Sequence, residues 1–167
     1  MITSNIFLGE NVSIDKSSSV NNVRIGDNTR IAGHSNVFGS SENILEIGDS
    51  CYIGPGCLLE GYNAAVRIGS FVSFAQNINL MSGSGPNASE RMQKVFPISK
   101  AEVTIGDHSW IGTGAIIMPG VELGRFCVVG ANSFVNKSFP DYSIIGGTPA
   151  RLIRKFTREE IKLMEEL

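Results

Sequence analysis

The sequence predicts a parallel β-helix built from six-residue repeats, and three observations support this. Residues 105–135 read IGDHSW, IGTGAI, IMPGVE, LGRFCV, VGANSF, V, five units in one register, each opening on an aliphatic residue. The fifth position of those units is small or β-branched each time: Ser109, Ala115, Val121, Cys127 and Ser133. A period of six matches neither the 3.6 of a helix nor the 2 of a strand. It matches short strands joined by tight corners, with one bulky aliphatic side chain pointing inward per flat side. Three such sides make one coil, and successive coils stack at the strand spacing of about 4.8 Å. The Gly that often follows the aliphatic residue is expected to carry the backbone through conformations closed to residues with a Cβ.

Taken from the start, the repeat is visible early. LGENVS and IDKSSS open the first coil at Leu8, and IGDNTR with IAGHSN opens the second at Ile25. The stretch SSENILE interrupts the pattern before a third coil at Ile47, and a fourth begins at Ile68. The fifth and sixth begin at Ile105 and Leu123, so the steps between coil starts are 17, 22, 21, 37 and 18 residues. The step of 37 places a long loop at residues 81–102, MSGSGPNASERMQKVFPISKAE. Loops this long in a compact domain are usually functional or disordered. We expect a functional one, with Phe96 and Pro97 able to anchor it against a neighbour.

After Val135 the pattern fades, and Gly146, Gly147 and Pro149 are expected to break regular structure. Thr157 opens T-R-E-E, a capping box with Glu160 at the third helical position. Ile161, Met164 and Leu167 form an apolar stripe behind it. The expected division is one β-helical domain over residues 1–154 and a C-terminal helix over 155–167.

Bulk properties narrow the function classes. Net charge is −2 with no basic run, which argues against nucleic acid or membrane-surface binding. The opening MITSNIFLGE lacks the form of a signal peptide, and no apolar run approaches the roughly 20 residues of a membrane-spanning helix. A soluble cytoplasmic protein is expected. Cys51, Cys57 and Cys127 are an odd set, and all three fall on the fifth position of a hexad. They read as small core residues. Exposed Phe7, Phe38, Phe71 and Phe126 on flat solenoid faces favour a homo-oligomer.

The run IGDHSWIGTGAIIMPGVELGRFCVVGANSFVNKSFPDYSIIGGTPARLIR carries W-I-G, M-P-G-V, G-A-N-S and G-x-P-A-R in that order. It resembles the hexapeptide-repeat acyltransferases, in the branch of maltose, galactoside, xenobiotic and surface-polysaccharide sugar acetyltransferases. The resemblance covers residues 47 to 167. It implies an all-β fold, a left-handed parallel β-helix with a long loop excursion and a short C-terminal α-helix, usually a homotrimer. It also implies transfer of an acetyl group from acetyl-CoA to a sugar or nucleotide-linked sugar, in surface polysaccharide biosynthesis, with no metal needed. Carried over by motif, Trp110 lines the place where thioester and acceptor meet. Gly112, Gly114, Ala131 and Asn132 border the pantetheine arm. Lys137, Arg151 and Arg154 match positions near the CoA phosphates, which suit Lys and Arg. The acceptor binds near the long loop, where Asn87 and Glu90 are the candidates.

One departure matters. The resemblance places a general-base His in the long loop, and this loop has none. Aligning M-S-G with the family pattern puts Ser84 at that place, and a neutral Ser is no comparable base. Of the two His, His34 lies coils away and reads as a corner residue, while His108 sits two residues before Trp110. Three readings stay open. The acceptor is an amine that needs no strong base. Or it is a hydroxyl, with His108 or Glu90 handling the proton. Or the solenoid is an inactive binding or assembly subunit. Two His do not make the three-His zinc set of a metalloenzyme on this fold.

Overall fold

The structure, a computed structural model, describes residues 4–166. Leu167 of the expected helical stripe lies outside the described residues, as do the first three positions of the expected domain. The chain winds as a left-handed parallel β-helix with three flat faces. The first face runs Ile6–Leu8, Val23–Ile25, Leu45–Ile47, Val66–Ile68, Val103–Ile105 and Glu122–Leu123, each strand parallel to the next. The second face starts at Ser13–Ile14 and carries Ser73–Phe74, Trp110–Ile111 and Val128–Val129 among its strands. The third runs from Ser19–Asn21 through Asn79–Met81 and Ile116–Ile117 to Phe134–Val135.

Register confirms the coil starts read from sequence. Leu8, Ile25, Ile47, Ile68, Ile105 and Leu123 follow one another as paired residues up the first face. A partial seventh coil follows them, which the fading pattern hid: Phe139 bridges Leu123, and Ile145 pairs with Val129. From Ile25 onward the opening aliphatics of the hexads are buried in one continuous core, and Ser109, Ala115, Val121, Cys127 and Ser133 are buried beside them. The three cysteines are free and buried, and burial pushes each thiol up from its ordinary value.

The role expected of the hexad glycines is corrected by the structure. The left-handed backbone falls two residues later, on Asn11, Asn28, Ser50, Phe71, His108, Phe126 and Tyr142 at the corner between the first and second faces. The second-position Gly is needed for close approach instead. A Cβ on Gly9, Gly26, Gly69 or Gly124 would run into the Asp27, Asp49, Asp107 or Asp141 carboxylate of the coil above. Those carboxylates are held there because they accept from the corner backbone below. Asp49 Oδ1 takes the Asp27 N–H at 2.8 Å, and Asp107 Oδ1 takes the Ser70 N–H at 2.8 Å.

The sequence also misjudged the C-terminal region. Gly146, Gly147 and Pro149 do not end regular structure. Ser143–Gly147 and Ala150–Lys155 form an antiparallel hairpin that extends the second face. The helix therefore begins at Arg158, not at residue 155, and runs Arg158–Glu165 (α2). Its capping box is present as read: Thr157 accepts from the Glu160 N–H, and Glu160 accepts from the Thr157 N–H. Ile161 and Met164 are half-buried.

Candidate active site

The long excursion is an ordered hairpin. Gly83–Ser84 pairs antiparallel with Ser99–Lys100, and a single helical turn, Glu90–Gln93 (α1), caps the tip with Ser89 as its N-cap. The hairpin leaves the solenoid at the corner between the third and first faces, just after Asn79–Met81 and just before Val103–Ile105. Its base is tied down by Glu60 from the coil below. That carboxylate accepts from the Ser82 N–H at 3.0 Å and the Ser82 hydroxyl at 3.2 Å, and also from the Asn63 N–H at 3.2 Å. The tip is apolar and open: Val95 is 70% exposed and Phe96 60%. Ser84 lies at the hairpin base, and Asn87 and Glu90 near its tip, so the structure brings these three candidates onto one excursion.

His108 is not part of that group. It sits at the next corner, between the first and second faces, its ring stacked between Phe71 at 4.8 Å and Phe126 at 4.6 Å. Phe126 stacks in turn on Tyr142 at 5.3 Å, so the corner carries a four-ring column over successive coils. Of the aromatics expected to be exposed, Phe7 and Phe71 are, whereas Phe38 and Phe126 are half-buried. His34 is a corner residue as read, with left-handed backbone and its N–H donated to the Ser17 hydroxyl.

Trp110 opens a second-face strand and is 56% exposed on the outer surface, paired in register with Ser73 below and Val128 above. Gly112, Gly114, Ala131 and Asn132 gather at the corner between the second and third faces, on the fifth and sixth coils. Three of their N–H groups are already donated within the solenoid: Gly112 to the Val129 carbonyl, Gly114 to Gln76 and Asn132 to Thr113. What the corner offers a narrow ligand is little side-chain bulk. Gly114 has φ +69, and its missing Cβ leaves room for the Asn132 amide oxygen, so this pair also serves the fold.

The cations divide. Arg151 and Arg154 lie on the Ala150–Lys155 strand. Arg154 is held by a bidentate pair with Glu160, at 2.7 and 2.9 Å, and that hydrogen-bonded guanidinium pulls the Glu160 carboxyl down to about 2. Arg151 donates to its neighbour's carbonyl and is otherwise exposed. Lys137 lies at the third–first corner, its ammonium 5.4 Å from the Phe139 ring centre. Among the described residues no three His, Cys, Asp or Glu side chains come together as a metal site. None of the helices described is long and apolar enough to cross a membrane.

In one chain the hairpin and the glycine corner thus stand at different corners of the prism. Sequence reasoning missed Glu60 entirely. Its signal was only an acidic residue at the end of a third-face strand, where the same column elsewhere carries Asn21, Phe38 and Met81.

Residues 102–137 match the family model described as bacterial transferase hexapeptide (six repeats). A chloramphenicol acetyltransferase of Escherichia coli is 34% identical over 128 residues, covering 74% of this chain and 57% of its own length. The putative lipopolysaccharide biosynthesis O-acetyl transferase WbbJ of Escherichia coli (strain K12) is 37% identical over 83 residues, covering 50% of this chain and 40% of its own. The chain spans between 30% and 58% of the length of the curated relatives it matches. Among solved structures, a variant of AntD, an N-acyltransferase from Bacillus cereus in complex with dTDP-4-amino-4,6-dideoxyglucose and coenzyme A, aligns over 99% of this chain and 90% of its own. The TM-score is 0.83 and the identity 25%. Repeat sequence on the fifth and sixth coils and fold over nearly all of the chain agree, and residues 102–137 carry the hexapeptide repeat of bacterial transferases.

Proposed function

We propose that this protein is a coenzyme A-dependent acyltransferase acting on the amine of an amino sugar, with its site shared between copies of the chain in a homotrimer. The observation that carries the reading is the split of the candidates over two corners. The hairpin with Ser84, Asn87 and Glu90 is at one, and Gly112, Gly114, Ala131 and Asn132 at another. A second copy packed alongside would bring one copy's hairpin to the other's Trp110 and glycine corner, and would cover Val95 and Phe96. The two exposed arginines and Lys137 lie toward the same end of the solenoid. Arg151 and Lys137 suit the phosphates of coenzyme A, and Arg154 suits them once Glu160 gives it up.

The amine reading follows from the hairpin carrying no His, with Ser84 at the place where the resemblance puts one. Coenzyme A would supply an acyl thioester. A neutral amine attacks such a carbonyl without prior deprotonation; the C–S bond then breaks, and coenzyme A leaves as its thiol with the nitrogen's proton passed on through water, so the chain's part is to hold acceptor and thioester together. N–H or hydroxyl donors, Ser84 among them, would stabilise the oxyanion. AntD, described as an N-acyltransferase with an amino-sugar nucleotide bound, supports this choice. Transfer to a sugar hydroxyl is the second reading, favoured by the relatives described as O-acetyltransferases.

Release of coenzyme A, followed with a thiol reagent across amino sugars, their hydroxyl analogues and their nucleotide forms, tests the proposal. Turnover on amines alone, with His108→Ala retaining activity within about twofold, is the expected result. Turnover on hydroxyls that His108→Ala abolishes would move the reading to O-acylation. No turnover, together with no binding of coenzyme A by calorimetry, would leave a binding or assembly subunit.

A further inference from the structure

The coil steps of 22 and 21 residues, less conspicuous than the 37, have a shared location. The strand Asn36–Gly39 ends the third face of its coil, and residues 40–44 intervene before Leu45–Ile47. Leu58–Gly61 ends the next, and residues 62–65 precede Val66–Ile68. Asn79–Met81 ends the one above, and the hairpin follows. All three insertions therefore leave the same corner on consecutive coils, one above another at a spacing of about 4.8 Å.

Hydrogen bonds stitch them into one wall. The lowest is closed by the Ser40 N–H to the Asn43 carbonyl at 2.8 Å and the Asn43 N–H to the Ser40 hydroxyl at 3.0 Å. The Asn43 amide donates upward to the Tyr62 carbonyl at 3.4 Å. The Asn63 and Ala64 N–H groups both donate to the Ser82 hydroxyl at 3.1 Å, joining the middle insertion to the hairpin base. The wall encloses an open cavity of about 430 Å³, with Tyr62, Asn43, Asn63, Glu42, Ser41 and Lys100 among its lining residues. Lys100 pairs with Gly83 across the hairpin, one residue from Ser84, so the cavity opens at the hairpin base.

The lining is amide, hydroxyl, one carboxylate, one ammonium and one aromatic ring. Tyr62 is 62% exposed although its backbone is fully committed to the wall. That set matches a pyranose: amides and carboxylates serve a ring of hydroxyls as both donors and acceptors, and an aromatic face covers the ring's C–H surface. A nucleoside diphosphate would call for several cations or a fork of Arg donors, and here the lining holds the single cation Lys100 together with the Glu42 carboxylate.

We propose that the cavity is a saccharide subsite, which takes a sugar unit joined to the one that is acylated at the hairpin. The acceptor is then a glycan of two or more units. The second clause rests on the acyltransferase reading, while saccharide binding at Tyr62 does not.

Calorimetry and saturation-transfer NMR on the full chain test it, with glucose, N-acetylglucosamine, maltose, chitobiose and UDP as probes and coenzyme A titrated separately. A disaccharide is expected to bind about tenfold or more tighter than its monosaccharide, and Tyr62→Ala to remove that gain. Ser41→Trp, which fills the cavity from its outer rim, is expected to remove it too, and both variants should melt with the parent. Disaccharides that bind no tighter than monosaccharides, or a gain that survives both variants, would overturn the subsite. So would UDP displacing the disaccharide, which would assign the cavity to a nucleotide. Failure of coenzyme A to bind, with the disaccharide gain intact, would sink the acyltransferase reading and leave the saccharide site standing.

Discussion

Single side chains hold this solenoid together by repeating one contact at each coil. Gly26 shows how little room is left. A Cβ there meets the Asp49 carboxylate and also the Gly48 and Asp49 backbone, so no rotamer change relieves it. Gly26→Ala is expected to cost about 1–3 kcal/mol in chemical denaturation, as overpacking of a closed site does. A loss under a few tenths would show that the coils can part at that corner. Cys127 occupies the same column as Ser109 and Ser143, whose hydroxyls donate to the Gly124 and Pro140 carbonyls. Since its own Sγ already lies 3.4 Å from the Pro140 carbonyl oxygen, Cys127→Ser should fold and turn over like the parent, and the native thiol should stay unreactive while folded. Rapid labelling of Cys127 in the folded protein would contradict that burial. Glu160 gives a pH signature. Its carboxyl is held down to about 2 by Arg154, so the pair contributes above the carboxyl's ordinary value near 4.5 and is lost as pH falls toward 2. NMR titration of the Glu160 carboxyl should show that depressed midpoint, and Arg154→Ala should return it toward the ordinary value.

At the scale of elements, the hairpin depends on a residue that is not on it. Glu60 accepts from Ser82 and Asn63, and Gly83 lies so close to the Asn63 side chain that a Cβ would not fit. Glu60→Ala removes the shared carboxylate, leaving the Ser82 N–H only the main-chain carbonyl of residue 60 and the Asn63 N–H only the Ser82 hydroxyl. Hydrogen exchange should then rise across residues 82–100 while Ile105, Ile111 and Ile117 stay protected. Uniform exchange loss along the solenoid would instead make Glu60 part of the core's stability. The coils themselves were legible because inward aliphatics recur every six residues and any slip would bury polar side chains. The corner of each insertion was legible too, since every excess falls after the third hexad of its coil. The C-terminal hairpin was not legible: ARLIRK is exposed along most of its length and carries no inward pattern, and the glycines beside it suggested a break. Left-handed residues such as Phe71 and His108 were hidden because their conformation is imposed by the corner, against their own preference. The candidate site was legible as motifs and not as geometry. His108 looked close to the loop in sequence, but a whole face of the prism separates their corners.

For the whole molecule, that separation sets the strongest test. In the proposed trimer, a closed ring of identical subunits, one heterologous contact would be used three times, and each shared site would take its hairpin from one copy and its Trp110 from the next. Phe96, 60% exposed at the hairpin tip, would be buried by such packing. Phe96→Asp should then shift the sedimentation profile from trimer toward monomer and remove activity, with the solenoid still melting cooperatively. Two further variants separate assembly from chemistry. One carries a disabled hairpin, with Ser84, Asn87 and Glu90 all changed to Ala, and the other carries Trp110→Ala. Each alone should assemble and be nearly inactive. Unfolded together in equal amounts and refolded, they should recover about a quarter of parental activity, because a random trimer places an intact hairpin against an intact Trp110 at one site in four. If every site lay within one chain, the mixture would be as inactive as either variant alone. Recovery therefore requires the hairpin and the glycine corner of different copies to meet, and its absence in a confirmed mixed trimer would return the site to a single subunit.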